Sequence, residues 1–338
     1  MKNKLEDLNL VSEDVGSLPA EEDFESDRKN VNRGILDKVA AGLDYPTYPQ
    51  LVGTASNPMN MGLQFLKPLS VNNPGLVIKG EEINLVGEDI VEPGRPIGIE
   101  RAQYFLSFLK TNNLVKQVKG TRACVTGPFT LASYIGTRNL MTCGASKPHV
   151  VETLSRTLSR SCKQLSEERF DIISIDEPFL SVILGGKRLL YSYDQEFVVR
   201  MLNTLIREIA GFSSIHVCGR ITPMVKNSLL TTDVDIIDHE FAQSPKNQDA
   251  YTRRELDETE KMLAYGCISS TNLRVETVNE IIGTLEKARE LFGERIILKP
   301  DCGFGGLNGL QGAYEIVFKK LKNMTQAVRQ VRIALNRG

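Results

Sequence analysis

The sequence contains no tryptophan and only three histidines, His149, His216 and His239. No indole is available to stack on a ligand, and any imidazole chemistry must come from one of those positions. It also lacks an apolar run of the roughly 18–20 residues that a membrane-spanning helix needs. The first residues, Met1 to Asp7, are polar and carry no signal-peptide apolar stretch. Formal net charge is -1, so no overall charge draws the chain to nucleic acid or to a membrane surface. Cysteine is present without framework spacing: Cys124, Cys143, Cys162, Cys218, Cys267 and Cys302 are scattered over 338 residues. That pattern is expected of reduced thiols in a cytoplasmic protein. No low-complexity segment or short-period repeat is found. A hydrophobic fraction of 41% and a charged fraction of 25% belong to an ordinary globular chain, long enough to bury a large core.

What is present is alternation. Asp14-Val15-Gly16-Ser17-Leu18-Pro19 reads as a first strand ending in a tight turn, and Asn30 to Leu43 as a helix with Val31, Ile35, Val39 and Leu43 on one face. Tyr45 to Val52 is a second strand, kept short by its prolines. Residues 74–90 read as a hairpin outside the main rhythm. From Ile99 the chain alternates regularly. A helix to Leu109 is followed by the strand Arg122–Thr126, with Pro128 opening the next helix at a position where its missing N–H costs nothing. A helix with Val151, Leu154, Leu158, Cys162 and Leu165 on its core face precedes the strand Asp171–Asp176. The helix Gln195–Phe212 leads into the strand Ser213–Val217. The strands Val234–Asp238, Tyr265–Ile268 and Ile296–Pro300 follow, separated by helices near Glu255–Leu263 and Val275–Phe292, and a last helix begins near Leu310. Eight strand–helix units in a chain of this size predict an α/β fold, a closed (β/α)8 TIM barrel. Residues 1–10 read as a polar N-terminal tail and 11–338 as one barrel domain.

In such barrels the chemistry sits at the C-terminal ends of the strands. Ser17, Thr126, Asp176, His216, Cys218, Glu240 and Cys302 all fall there. His216 and Cys218, two apart on a strand, face the same side, and Glu240 and Cys302 follow two later strands. The plain alternative for the pair is a core histidine beside a buried free cysteine. The recurrence of the pattern on three strands favours a tetrahedral zinc set instead. Its ligands are spread over residues 216–302 rather than paired in Cys-x2-Cys knuckles, which favours a catalytic over a structural ion. Two thiolates and a carboxylate make a poor Lewis acid for water, but such a site can hold a substrate thiol as its nucleophilic thiolate. Asp176 suits an ammonium group, whereas Glu177 reads as an acid complementing a helix dipole. Gly127-Pro128-Phe129-Thr130 and Gly303-Phe304-Gly305-Gly306 fit an anion cradle or a tight barrel turn equally well. Tyr45, Tyr48, Met59 and Met61 read as packing.

Together these motifs resemble the catalytic C-terminal half of the cobalamin-independent methionine synthases. Those carrying the resemblance are His216-x-Cys218, Glu240, Asp301-Cys302-Gly303, Val15-Gly16-Ser17, Val125 to Thr130 and Ile175-Asp176-Glu177-Pro178, in family order from about residue 11 to 325. The resemblance implies a (β/α)8 barrel with one zinc per chain held by His216, Cys218, Glu240 and Cys302. It also implies homocysteine bound by Val15, Gly16, Ser17 and Asp176. There are departures. The chain has no room for the family's second barrel. The family's folate-stacking tryptophan is absent, with Tyr134 near its place, and Val182 replaces an acid. The segment Gly266–Asn272 lacks the family's proton-donating histidine. Asn60-Met61-Gly62-Leu63-Gln64-Phe65 lacks a second carboxylate for the amino group.

From these departures the sequence reading expects methyl transfer to homocysteine from a methylcobalamin-type methylcorrinoid, carried on a partner protein, giving methionine. The rivals are a folate-dependent methionine synthase using 5-methyltetrahydrofolate, methyl transfer to another thiol such as coenzyme M, and a thiol-binding protein without turnover. No nucleic-acid or membrane partner is expected.

Overall fold

Arg122 opens a strand at the centre of a closed barrel. In the computed structural model, which describes residues 4–19, 28–51, 61–80, 82–136, 140–186, 189–191 and 193–336, two short parallel strands come first: β1 (Ser17–Leu18) and β2 (Gln50–Leu51). β3 (Leu76–Lys79) and β4 (Glu82–Leu85) form the expected antiparallel hairpin. Six strands then pair in chain order as one parallel sheet: β5 (Arg122–Thr126), β6 (Ile172–Asp176), β7 (Phe212–Val217), β8 (Ile236–Glu240), β9 (Met262–Ile268) and β10 (Ile296–Pro300).

The residues just before β1 and β2 close the ring. Leu298 N donates to Val11 O (2.8 Å) and Glu13 N to Leu298 O (2.9 Å), Tyr45 N donates to Ser12 O (3.0 Å), and Arg122 N donates to Pro46 O (3.1 Å). The two N-terminal segments thus bridge β10 to β5, and the fold is the (β/α)8 barrel that the alternation predicts. Helices form the outer layer, among them Arg28–Ala41, Glu100–Thr111, Pro148–Glu167, Val278–Phe292 and Ala313–Leu335.

Several boundaries differ from the sequence reading, two of them on helices that lead into barrel strands. The helix expected over Gln195–Phe212 ends at Ile206, and Phe212 already belongs to β7. Gly211 explains the break: a Cβ there would lie 2.5 Å from Asp171 O, so the chain passes β6 too closely for a side-chain-bearing helix. The helix expected near Glu255–Leu263 ends at Glu258, because the apolar run Met262–Ile268 extends β9 backward. Met59 and Asn60 lie outside the described residues.

On each strand, residues two apart share a face, so Phe212, Ser214 and His216 climb β7 from the barrel floor to its C-terminal mouth. The floor is apolar: Val11, Tyr45, Ile172, Phe212, Ile236, Met262, Ala264 and Ile297 pack together with Leu8. Leu8 ends the 3-10 turn Leu5–Leu8, so part of the stretch expected as a polar tail is ordered against the floor. Above the floor, Glu13, Arg122, Asp238 and Lys299 are all fully buried, an ionic layer inside a hydrophobic shell.

Truncating Leu8 should therefore act as a core deletion. Leu8→Ala is expected to cost about 2–5 kcal/mol, read as a lower urea midpoint with an unchanged far-UV spectrum. Leu5→Ala, at a partly buried position, should cost clearly less. Equal and negligible effects would show that the turn does not seal the barrel.

Candidate metal centre

Three of the four expected metal ligands meet at the mouth. Among the described residues, His216, Cys218 and Cys302 form the one group whose ligand atoms all lie within 4.8 Å of one another. His216 Nε2 lies 2.9 Å from Cys218 Sγ, and Cys218 Sγ lies 3.3 Å from Cys302 Sγ. Around a tetrahedral zinc with Zn–S of about 2.3 Å, two sulfurs would stand roughly 3.8 Å apart, so a small outward relaxation admits the ion. One imidazole and two thiols are the donors zinc favours. The fourth expected ligand, Glu240, is not in this group; its Oε1 accepts a hydrogen bond from Ser244.

The first-chosen donors are held from behind. His216 Nδ1 donates to Asp238 Oδ1 at 2.7 Å. The same carboxylate takes the Lys299 ammonium at 2.6 Å and the Arg122 guanidinium at 3.3 Å. Although burial opposes it, these cations hold Asp238 far below the usual carboxylate range. Burial alone would lower the pKa of His216, but Asp238 overrides it and pushes the imidazole up to about 10. The Cys218 thiol donates to Cys302, which raises the pKa of Cys218 and lowers that of Cys302. Asp238 thus favours the protonated imidazole, and the contact between the sulfurs favours a proton on Cys218 over one on Cys302.

Asp301, beside Cys302, accepts from Phe241 N, Ala242 N and Gln243 N at 2.9, 2.9 and 2.7 Å. It ties the loop after Glu240 to the loop that carries Cys302.

Val15, Gly16 and Ser17 lie on the rim beside Gly303 and Gly305. Ser17 Oγ accepts from Gly305 N at 3.2 Å, and a Cβ on Gly303 would sit 1.9 Å from that hydroxyl. Gly16 has φ +121°, in a region that only glycine enters freely. The buried Lys38 fixes its carbonyl: Lys38 Nζ donates to Gly16 O (3.0 Å) and Thr47 O (2.9 Å) and pairs with Asp14 (2.6 Å). Because carbonyl and N–H point to opposite sides of a trans peptide, anchoring the Gly16 carbonyl turns the Ser17 N–H the other way. Asp176 is buried beside Ser174, whose hydroxyl donates to it at 2.8 Å. Burial raises its pKa against the pull of Arg122.

Glu177 is a helix-capping acid: Oε1 accepts from Phe129 N and Oε2 from Thr130 N, both at 2.9 Å, at the start of the helix Pro128–Ser133. The capped helix follows β5, the neighbour of β6, whose last residue Asp176 precedes Glu177. That makes Gly127–Thr130 a barrel turn whose N–H groups are already occupied. Tyr134 ends this helix, partly buried against the core. His239 is a neutral core residue, bonded to Val217 O and Tyr251 Oη.

Sequence reasoning missed Asp238, Lys299 and Gln50. The first two were detectable, being charged residues within otherwise apolar strands, and Asp238 stands two positions before Glu240 on the same face. Gln50 pairs in register with Ser17, and its Oε1 would lie 3.2 Å from a Cβ on Gly16. No local pattern marks it.

Comparison with known proteins gives the chain a family. Residues 81–330 match the family model described as cobalamin-independent synthase, catalytic domain. A methionine synthase of Methanothermobacter marburgensis is 26% identical over 313 residues, covering 91% of this chain and 90% of that protein. One of Methanocaldococcus jannaschii is 27% identical over 253 residues, 72% of this chain and 74% of that protein. A solved B12-independent methionine synthase from Shewanella, in complex with selenomethionine, superposes with a TM-score of 0.70 at 17% identity, covering 98% of this chain and 100% of that one. That likeness is one of fold.

These matches overturn the methylcobalamin donor and the corrinoid carrier partner expected from the sequence, because the matching family is the cobalamin-independent one. The inference failed because missing folate-binding groups do not in themselves create a corrinoid site. No helix among the described residues is long and apolar enough to cross a membrane.

Metal uptake should report the cluster's protonation. Metal-bound histidine is neutral and cysteine is a thiolate, so at pH 7 zinc should displace about two protons, one from His216 and one from Cys218. Apparent affinity should therefore rise about 100-fold per pH unit between pH 6 and 8. Calorimetry in buffers of different ionisation enthalpy measures both. Binding without proton release would contradict the assigned ligands.

Proposed function

Since this chain belongs to the catalytic-domain family of the cobalamin-independent synthases, we propose that it makes methionine by zinc-dependent methyl transfer to homocysteine, from a methyl carried on the N5 nitrogen of a reduced pterin of the tetrahydrofolate class. It is a methyltransferase of the methionine synthase type. The observation that carries the zinc reading is the convergence of His216, Cys218 and Cys302 within 4.8 Å at the barrel mouth. Glu240 is the proposed fourth donor, reached when its carboxylate leaves Ser244. A bound zinc would supply one thing: it would keep the acceptor sulfur as thiolate near neutral pH.

The remaining work falls to the chain's own groups. Asp176 is proposed to accept from the homocysteine ammonium, and the Ser17 N–H and hydroxyl to take its carboxylate. Held at both ends, the acceptor directs its sulfur at the methyl carbon. The sulfur's electron pair forms the new S–CH3 bond, the N–CH3 bond breaks toward nitrogen, and that nitrogen then takes a proton. In the loop after β9, Ser269 and Ser270 are buried and hydroxylic, and the carboxylate of Glu276 is engaged by Ser269 N and Lys320. Water at the mouth therefore delivers the proton. A positioned acid contributes about 10²–10⁴ in rate, so turnover should be slow and should quicken as pH falls, until zinc is lost.

The donor is tested with homocysteine and zinc-loaded protein, given either methyltetrahydrofolate or methylcobalamin at equal concentration. Methionine formed from the pterin is the expected result. Turnover from the cobalamin alone would sink the pterin reading.

The acceptor is tested through Asp176→Asn. A charge-assisted hydrogen bond is worth about 1.5–3 kcal/mol. Homocysteine should lose roughly 10- to 150-fold in kcat/KM, whereas the des-amino analogue 4-mercaptobutyrate should change little. Equal losses for both thiols would remove Asp176 from ammonium recognition.

A further inference from the structure

Lys299 is fully buried and uses all three of its ammonium donors. It meets Asp238 Oδ1 at 2.6 Å and donates to Pro300 O and Asp301 O, each at 2.9 Å. Those two carbonyls immediately precede Cys302. The Asp238 oxygen that receives Lys299 also receives His216 Nδ1, at 2.7 Å. One ion pair therefore spans from the histidine on β7, through β8, to the backbone that carries the cysteine after β10. Lys299 neither lines the mouth nor reaches the reacting atoms. The second Asp238 oxygen is held by Arg122, which lies beside Glu13, so the pair stands on a charge-balanced base inside the barrel.

We propose that the Asp238–Lys299 pair is a brace that positions His216 and Cys302 as one unit, making Lys299 a positioning residue for the second thiolate of the metal centre. This rests on the zinc reading of the same site. Removing either end releases both ligands: without Lys299 the Pro300–Asp301 carbonyls lose their anchor, and the Asp238 oxygen facing His216 loses its lysine partner while Arg122 holds the other oxygen. Groups behind metal ligands typically govern affinity about 10- to 100-fold. Residues acting through one shared contact give non-additive losses, whereas independent ones multiply.

The test compares wild type, Lys299→Met, Asp238→Asn and the double variant. Zinc affinity is measured by chelator competition, and the cobalt(II)-substituted proteins are read by their sulfur-to-cobalt charge-transfer band, whose intensity counts bound thiolates. Each single variant should bind zinc about 10- to 100-fold more weakly. The double variant should be no weaker than the worse single one, and Lys299→Met should show about half the wild-type band, reporting one thiolate rather than two. A loss of fold alone would not change the thiolate count of the metal-bound fraction.

Should Lys299→Met fail to fold, the double variant decides the matter, since it leaves neither member of the pair charged and alone. Zinc affinity within threefold of wild type, a full two-thiolate band, or losses that multiply in the double variant would each overturn the brace. Wild-type protein that takes up neither zinc nor cobalt would instead overturn the zinc reading itself.

Discussion

A single buried carboxylate, Asp238, is the contact on which the rest of the interior turns. It receives an imidazole, an ammonium and a guanidinium from three other strands. Burying a charge is costly unless it is paired and hydrogen-bonded, and replacing such groups with packed apolar side chains often stabilises a protein. An ionic layer over an apolar floor is therefore poor evidence for stability. It is good evidence for placement: the cations that Asp238 collects come from β5, β7 and β10, and two of those strands end in metal-ligand candidates.

The layering follows from strand geometry. Residues two apart share a face, so the interior of an eight-stranded barrel fills in tiers. The lowest tier is closed by Leu8 and its apolar neighbours, which keeps water from the charges above. The middle tier is the Asp238 network. The top tier holds the His216 ring and the sulfurs of Cys218 and Cys302, with Cys218 Sγ 2.9 Å from His216 Nε2 and 3.3 Å from Cys302 Sγ. Polar groups at those separations are the geometry on which the proposed metal site rests. A parallel arrangement serves the rim: Lys38 holds the Gly16 carbonyl from below as Lys299 holds the carbonyls before Cys302. Two buried lysines thus orient neighbouring stretches of backbone at the mouth, where Ser17 meets Gly303 and Gly305.

Local pattern determined much of this protein. The alternation of apolar strands with amphipathic helices specified the barrel, and the strand-end positions of His216, Cys218 and Cys302 marked side chains that converge at the mouth, because period-two geometry links sequence spacing directly to facing. The tertiary structure decided the rest. That Leu8 seals the floor, that Arg122 and Lys299 converge on Asp238, and that Glu177 caps a helix two elements earlier all depend on contacts between residues far apart in the chain, 116 positions for Arg122 and Asp238 and 47 for Thr130 and Glu177, which leave no periodic trace. Glu240 shows the limit from the other direction: its position on β8 is legible in sequence, but whether its carboxylate faces the thiols or Ser244 is a rotamer choice set by neighbours. Spacing fixes which side of a strand a residue occupies; only the packed fold fixes what it meets there.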